Sequence, residues 1–149
     1  MSDFLPGTTF QSVIPDAAIT PSNVQRVLIV SGKLYYDLVK ERTARGLDDT
    51  IAILRLEELC PFPFSVMKDA LLPFLQESKG VKVVWVQEES QNQGAWPHVM
   101  PRLQSVLRDI GCAGEVSYVG REPSEVPAVG VGKVHAQEVA RLLKDAFEA

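Results

Sequence analysis

Residues Val81 to Pro97 read VKVVWVQEESQNQGAWP. Val83, Val84, Trp85 and Val86 form a continuous apolar run, the pattern of a strand buried on both faces in a parallel sheet covered by helices. Gln87, Glu88 and Glu89 follow at its carboxyl end, Gly94 supplies a turn, and Pro97 suits the first turn of a helix. In open α/β sheets the loops beyond the carboxyl ends of the strands line the crevice where ligands or partner surfaces dock. The stretch therefore predicts a strand over 81–86, a polar binding-edge loop and a helix behind it.

The same alternation extends outward in both directions. Val27 to Val30 reads as a first strand, Ser31 and Gly32 as a turn, and Leu34, Tyr35, Leu38 and Val39 as the apolar stripe of a helix ended by Gly46. Ile51 to Leu56 is a second strand. Ser65 is the expected N-cap of a helix bearing Val66, Met67, Ala70, Leu71 and Phe74, which Pro73 should kink or shorten. The helix behind Pro97 carries Val99, Met100, Leu103, Val106, Leu107 and Ile110 and stops at Gly111. Val116 to Val119 is a fourth strand, and Val139, Leu142, Leu143, Ala146 and Phe147 mark a closing helix. Strands alternating with helices imply βαβ units, whose right-handed crossovers gather the strand-end loops along one sheet edge.

Residues 1–23 differ from the domain expected over 24–149, because Pro6, Gly7, Pro15 and Pro21 interrupt every periodic pattern. They read as a linker or wrapping arm. Phe4, Leu5, Phe10, Val13 and Ile14 are too many apolar residues for a solvated tail, so packing on the domain is expected through Phe10, Val13 or Ile14.

With 149 residues, 46% hydrophobic and 23% charged, the chain suits a single globular domain. A net charge of -4, with 15 basic residues scattered and never in a run, gives no footprint for nucleic acid or an anionic membrane. No stretch approaches the length of a membrane span, and MSDFLPGTTFQSV has no signal-peptide pattern, so the chain reads as soluble. Cys60 and Cys112 lack companions at metal-ligand spacing and read as reduced structural thiols, Cys60 packing within the proline-shaped turn LCPFPF.

The strand-end loops hold Ser31, Gly32 and Lys33, then Glu57 and Glu58, then Gln87, Glu88, Glu89 and Asn92, then Gly120 and Arg121. Arg121 is expected to pair with Glu88 or Glu89 and fix the loops, unless it serves an effector or partner site. Adjacent carboxylates on an extended segment point to opposite faces, so Glu88 and Glu89 do not flank one bond as a general acid and base would. GVGK at Gly130 to Lys133 departs from a phosphate-binding loop, since Val134 stands where Ser or Thr is needed and Pro127 where the first glycine belongs. It reads as a turn before a helix. His98 and His135 have no triad partners at a telling spacing and sit near helix starts.

The strings SGK-YYDL, EELCPFPF, QEE-QNQG-W and VGR-P, in this order and spacing, resemble the carboxyl-terminal domain of the 2-oxoglutarate dehydrogenase first component over about residues 7 to 149. GTTFQSVIPD and VPAVGVGKVH are closer to its 2-oxoadipate dehydrogenase-like branch, and the substrate stays open between the two. The resemblance implies a three-layer α/β/α domain of the transketolase carboxyl-terminal type, with a mostly parallel sheet and one antiparallel edge strand. It implies that thiamine diphosphate and magnesium belong to other domains of the whole enzyme, because Gly-Asp-Gly is absent here, so no catalytic, cofactor-binding or metal-binding residue is carried over. The chain would be a fragment, inactive alone, of a homodimeric tricarboxylic acid cycle enzyme that decarboxylates a 2-oxo acid and passes the acyl group to a lipoyl-bearing acyltransferase component. Its place would be the mitochondrial matrix in a eukaryote and the cytoplasm in a bacterium. Lys33, Gln87, Glu88, Glu89, Gln93, Trp96 and Arg121 form the candidate interface or effector edge. The alternative is a free-standing ligand-binding or interaction module on the same fold, which binding of adenine nucleotides or acyl-CoA would distinguish.

Overall fold

The computed structural model describes residues 5–77 and 80–148. The elements are β1 (Val13–Ile14), a 3-10 turn (Pro21–Asn23), β2 (Arg26–Val30), α1 (Leu34–Ala44), β3 (Ile51–Leu56) and α2 (Phe64–Glu77). They continue with β4 (Lys82–Ser90), α3 (Trp96–Ile110), β5 (Val116–Arg121) and α4 (Gly132–Glu148). The five strands form one sheet in the order β1-β3-β2-β4-β5. β2 to β5 run parallel and β1 is antiparallel on the edge, with Val13 opposite Leu56 and Ile14 opposite Arg55.

Period-two alternation on the central strands divides the interior into two layers. Val27, Ile29, Leu54, Val83 and Trp85 face Met67, Leu71, Phe74, Val99 and Leu103 of α2 and α3. Leu28, Val30, Ile53, Val84 and Val86 face Leu34, Leu38, Leu142, Ala146 and Phe147 of α1 and α4. The architecture is therefore the expected α/β/α sandwich. No helix among the described residues is long and apolar enough to cross a membrane.

Four local expectations need correction. α2 begins at Phe64, one residue before Ser65, and continues through Pro73. A proline there removes the bond to the carbonyl of Asp69, an exposed residue, while Met67, Leu71 and Phe74 hold the buried face. β4 runs four residues past Val86, its pairing with β5 breaking between Val86 and Ser90; the carboxylates thus stand on a bulged strand extension. β5 likewise continues past Val119 to Arg121. Cys60 is exposed, and Phe62 beside it does the packing. Gly111 does cap α3, at a φ of 86° that favours glycine.

The arm joins the sheet. Val13 is buried in β1, Ile19 is also buried, and the Ser12 carbonyl accepts from the Glu57 and Glu58 N–H groups at 2.9 and 3.2 Å. Ile14 is half-buried and Phe10 stays exposed; Phe4 lies outside the described residues. A buried ion pair locks the arm: Arg42 Nη1 contacts Asp16 Oδ2 and donates to the Ile51 carbonyl at 3.0 Å, while Arg42 Nε donates to Asp48 at 3.1 Å. The same Asp16 oxygen accepts the Ile53 N–H at 3.1 Å.

Candidate functional site

Strand order reverses between β2 and β4, because α1 leaves β2 on one face of the sheet and α3 leaves β4 on the other. A crevice at the carboxyl ends of two such strands is where open α/β sheets bind. Here it is a cleft of about 530 Å³ lined by Ser31, Gly32, Lys33, Glu88, Glu89 and Gln93, among others. The Lys33 ammonium stands 3.9 Å from a Glu88 carboxylate oxygen, and Lys33 is mostly in solvent. Such an exposed pair contributes at most about 1 kcal/mol and leaves both charges available to a partner.

Behind this rim the loop is held from inside. Gln87 is only 4% exposed. Its Oε1 accepts from the Trp85 indole N–H at 2.8 Å and the Trp96 backbone N–H at 2.9 Å. Its Nε2 donates to the Glu89 and Ser90 carbonyls at 3.3 and 3.0 Å. All four hydrogen-bonding positions of the amide are used. Two glycines let the chain approach this knot: a Cβ on Gly94 would lie 2.3 Å from Gln87 Nε2, and one on Gly120 would lie 2.3 Å from the Tyr118 hydroxyl and 2.8 Å from the Gln87 carbonyl. Trp96 opens α3 and packs on the Tyr118 ring at 5.2 Å.

Tyr118 was not singled out in the sequence, yet its hydroxyl stands 2.8 Å from the Arg121 carbonyl of its own strand and 3.4 Å from the Glu89 carbonyl, which ties β5 to the end of β4. Burial pushes its phenol up from 10.0 to about 12. The folded state thus holds the proton more tightly than the unfolded state. The resulting stabilisation is complete below pH 10 and is lost as pH rises from about 10 to about 12. Comparing denaturation of wild type and Tyr118→Phe across that window should show the steeper alkaline decline in the wild type, and parallel declines would contradict it.

Arg121 does not do what was expected of it. Its Nε pairs with Glu138 Oε2 of α4 at 2.7 Å, and among the described residues it makes no ion pair with Glu88 or Glu89. The β4 bulge carries the carboxylates away, and the side chain turns instead toward α4, which packs on β5. The next loop is nevertheless tied to β4's end. Asn92 and Gln93 side-chain amides donate to the Ser124 carbonyl at 3.0 and 2.7 Å, and the Ser124 N–H donates to Asn92 Oδ1 at 3.0 Å. Glu57 and Glu58 turn out beside the arm, through their N–H bonds to Ser12. His98 Nε2 donates to the Leu59 carbonyl at 2.8 Å, and His135 is exposed on the first turn of α4.

Among the described residues no three of His, Cys, Asp and Glu converge to hold a metal ion. The family described as 2-oxoglutarate dehydrogenase C-terminal matches residues 1–147. This chain belongs to that family. It is 40% identical to 2-oxoglutarate dehydrogenase-like, mitochondrial, of Pongo abelii, over 95% of this chain and 14% of that protein. It is 41% identical to 2-oxoadipate dehydrogenase complex component E1 of Mus musculus, over 99% of this chain and 15% of that protein. Identity to the probable 2-oxoadipate dehydrogenase complex component E1 homolog of Dictyostelium discoideum is 38%, over 99% of this chain and 16% of that protein. The chain therefore spans about one-seventh of the length of these relatives, and both substrate branches stand equally near.

Two of the strings quoted from the sequence have physical roles in this domain. QEE-QNQG-W encodes the Gln87 knot, the Ser124 ties and the close approach of Gly94. VGR-P encodes the approach of Gly120 and the Arg121–Glu138 pair.

Proposed function

We propose that this chain is the assembly and regulatory domain of a 2-oxoglutarate or 2-oxoadipate dehydrogenase first component. The observation that carries this is a family match across residues 1–147 to a domain filling only about one-seventh of its relatives. The whole enzyme decarboxylates a 2-oxo acid with thiamine diphosphate and magnesium held by its other domains, works as a homodimer, and delivers the acyl group to a lipoyl-bearing acyltransferase. The relatives named as mitochondrial support a mitochondrial location for a eukaryotic member. The role of this domain is to present a rigid surface at the sheet edge: the Gln87 knot fixes the loop from behind, leaving Lys33, Glu88, Glu89 and Gln93 at the rim of the cleft.

Removing this domain from the full-length enzyme should abolish the assembled dimer and with it the decarboxylase activity. An active dimer without it would overturn the assembly role. The isolated chain should give no saturable, magnesium-dependent heat when titrated with thiamine diphosphate in the micromolar range. Such a heat would place the cofactor pocket here and refute the division of labour.

A further inference from the structure

The arm and α1 enclose a second depression, which shares no lining residue with the switch-point cleft. It is a groove of about 1020 Å³ lined by Leu5, Phe10, Ile14, Tyr36, Arg55 and Glu57, among others. Leu5, Phe10 and Tyr36 are 60%, 74% and 66% exposed. Singly exposed apolar side chains are ordinary, but several lining one groove mark a surface that a partner covers. The walls are preformed: Thr8 N–H closes a turn on the Leu5 carbonyl at 3.1 Å, Ser12 accepts from Glu57 and Glu58 just past β3, and Tyr35 packs edge-on against Tyr36 at 5.3 Å. Arg55 lies over the Tyr35 ring at 4.5 Å, its Nε has no hydrogen-bond acceptor, and it makes no ion pair among the described residues.

We infer that this groove receives an apolar segment of the polypeptide that precedes the domain in the whole enzyme, carrying a carboxylate or backbone carbonyl that meets Arg55. The inference rests on the function proposed above. The matched domain is described as carboxyl-terminal and fills 14–16% of the relatives, so the bulk of their chain joins on the side of the arm, which is itself a wall of the groove. A segment tethered there faces the groove at high effective concentration, and modest contacts suffice to seat it.

Hydroxyl-radical footprinting of the 149-residue chain and of the full-length enzyme tests this. Labelling of Leu5, Phe10 and Tyr36 should fall roughly fivefold or more in the full-length enzyme, as expected for side chains taken out of water. Phe10→Asp should leave the melting temperature of the isolated chain unchanged, because Phe10 is already exposed, and should restore Tyr36 labelling in the full-length enzyme to the isolated level. An active full-length enzyme with all three residues labelled as in the isolated chain would overturn the groove inference while leaving the proposed function standing. Protection without decarboxylase activity would keep the groove and overturn the function. A concentration-dependent dimer of the isolated chain that protects the same residues would assign the groove to a second copy and overturn the inference.

Discussion

Replacing Arg42 by alanine is expected to cost the domain about 3–5 kcal/mol, the range for removing one partner of a buried ion pair. The Arg42 and Asp16 side chains are only 9% and 11% exposed, so water cannot take over what the guanidinium does. Its loss leaves the Asp16 carboxylate with the Ile53 N–H alone, and the Ile51 carbonyl without its 3.0 Å donor. Because Asp16 belongs to the arm, Arg42 to α1 and Ile51 to β3, the damage is not confined to one element. The arm should loosen first and uncover the edge of β3, since β1 is only two residues long. Urea denaturation measures the loss, and limited proteolysis between residues 8 and 20 should accelerate well below the unfolding midpoint. A loss under about 1 kcal/mol would mean that the pair behaves as a solvated surface bridge. Arg42→Lys should recover only part of the stability, because one ammonium cannot reach Asp16, Asp48 and the Ile51 carbonyl in the fork geometry of a guanidinium.

This lock was invisible in the sequence for a definite reason. Asp16 and Arg42 are 26 residues apart, on a proline-interrupted arm and an exposed-looking helix, and only the antiparallel placement of β1 brings them together. What was legible depends on local periodicity: the runs Val27 to Val30, Ile51 to Leu56 and Val83 to Val86 are each fully or almost fully buried, as continuous apolar runs should be in a covered sheet. α3 likewise declared its stripe and its Gly111 stop, and differs only in starting at Trp96, one residue before Pro97. The edge at the strand ends was also legible, since Lys33, Glu88, Glu89 and Gln93 do share one cleft. Its internal arrangement was not. Pairing Arg121 with the carboxylates assumes that β4 ends at Val86, whereas the bulge lengthens β4 and Glu138 of α4, 17 residues after Arg121, takes the guanidinium. Gln87 carried the opposite error. A glutamine at a strand end looks like a surface ligand, yet its amide is the polar centre of the loop, because two tryptophan N–H groups and two carbonyls need it.

That centre gives the second large effect. Gly94→Ala should destabilise the domain by about 2–4 kcal/mol, combining overpacking with the loss of at least one buried hydrogen bond. Gly94 does not have positive φ, so the requirement is for space and not for an unusual backbone. The added methyl would stand 2.3 to 2.8 Å from the three terminal atoms of the Gln87 amide. On an exposed glutamine such a clash is relieved by rotation. Here the amide is held by four partners within 3.3 Å, so any rotation that clears the methyl breaks bonds to Trp85, Trp96, Glu89 or Ser90. Gln87→Ala alone should cost a similar amount by leaving those four groups unpaired. The double variant is the decisive measurement. Once Gln87 is truncated, the Gly94 methyl has nothing to strike, and the combined loss should fall short of the sum of the single losses by at least about 1 kcal/mol. Strict additivity would show that Gly94 is required for some reason other than Gln87. In the full-length enzyme the same pair should behave differently from Arg42: its lesion lies directly beneath Glu88, Glu89 and Gln93, so assembly should suffer at temperatures where the domain itself is still folded.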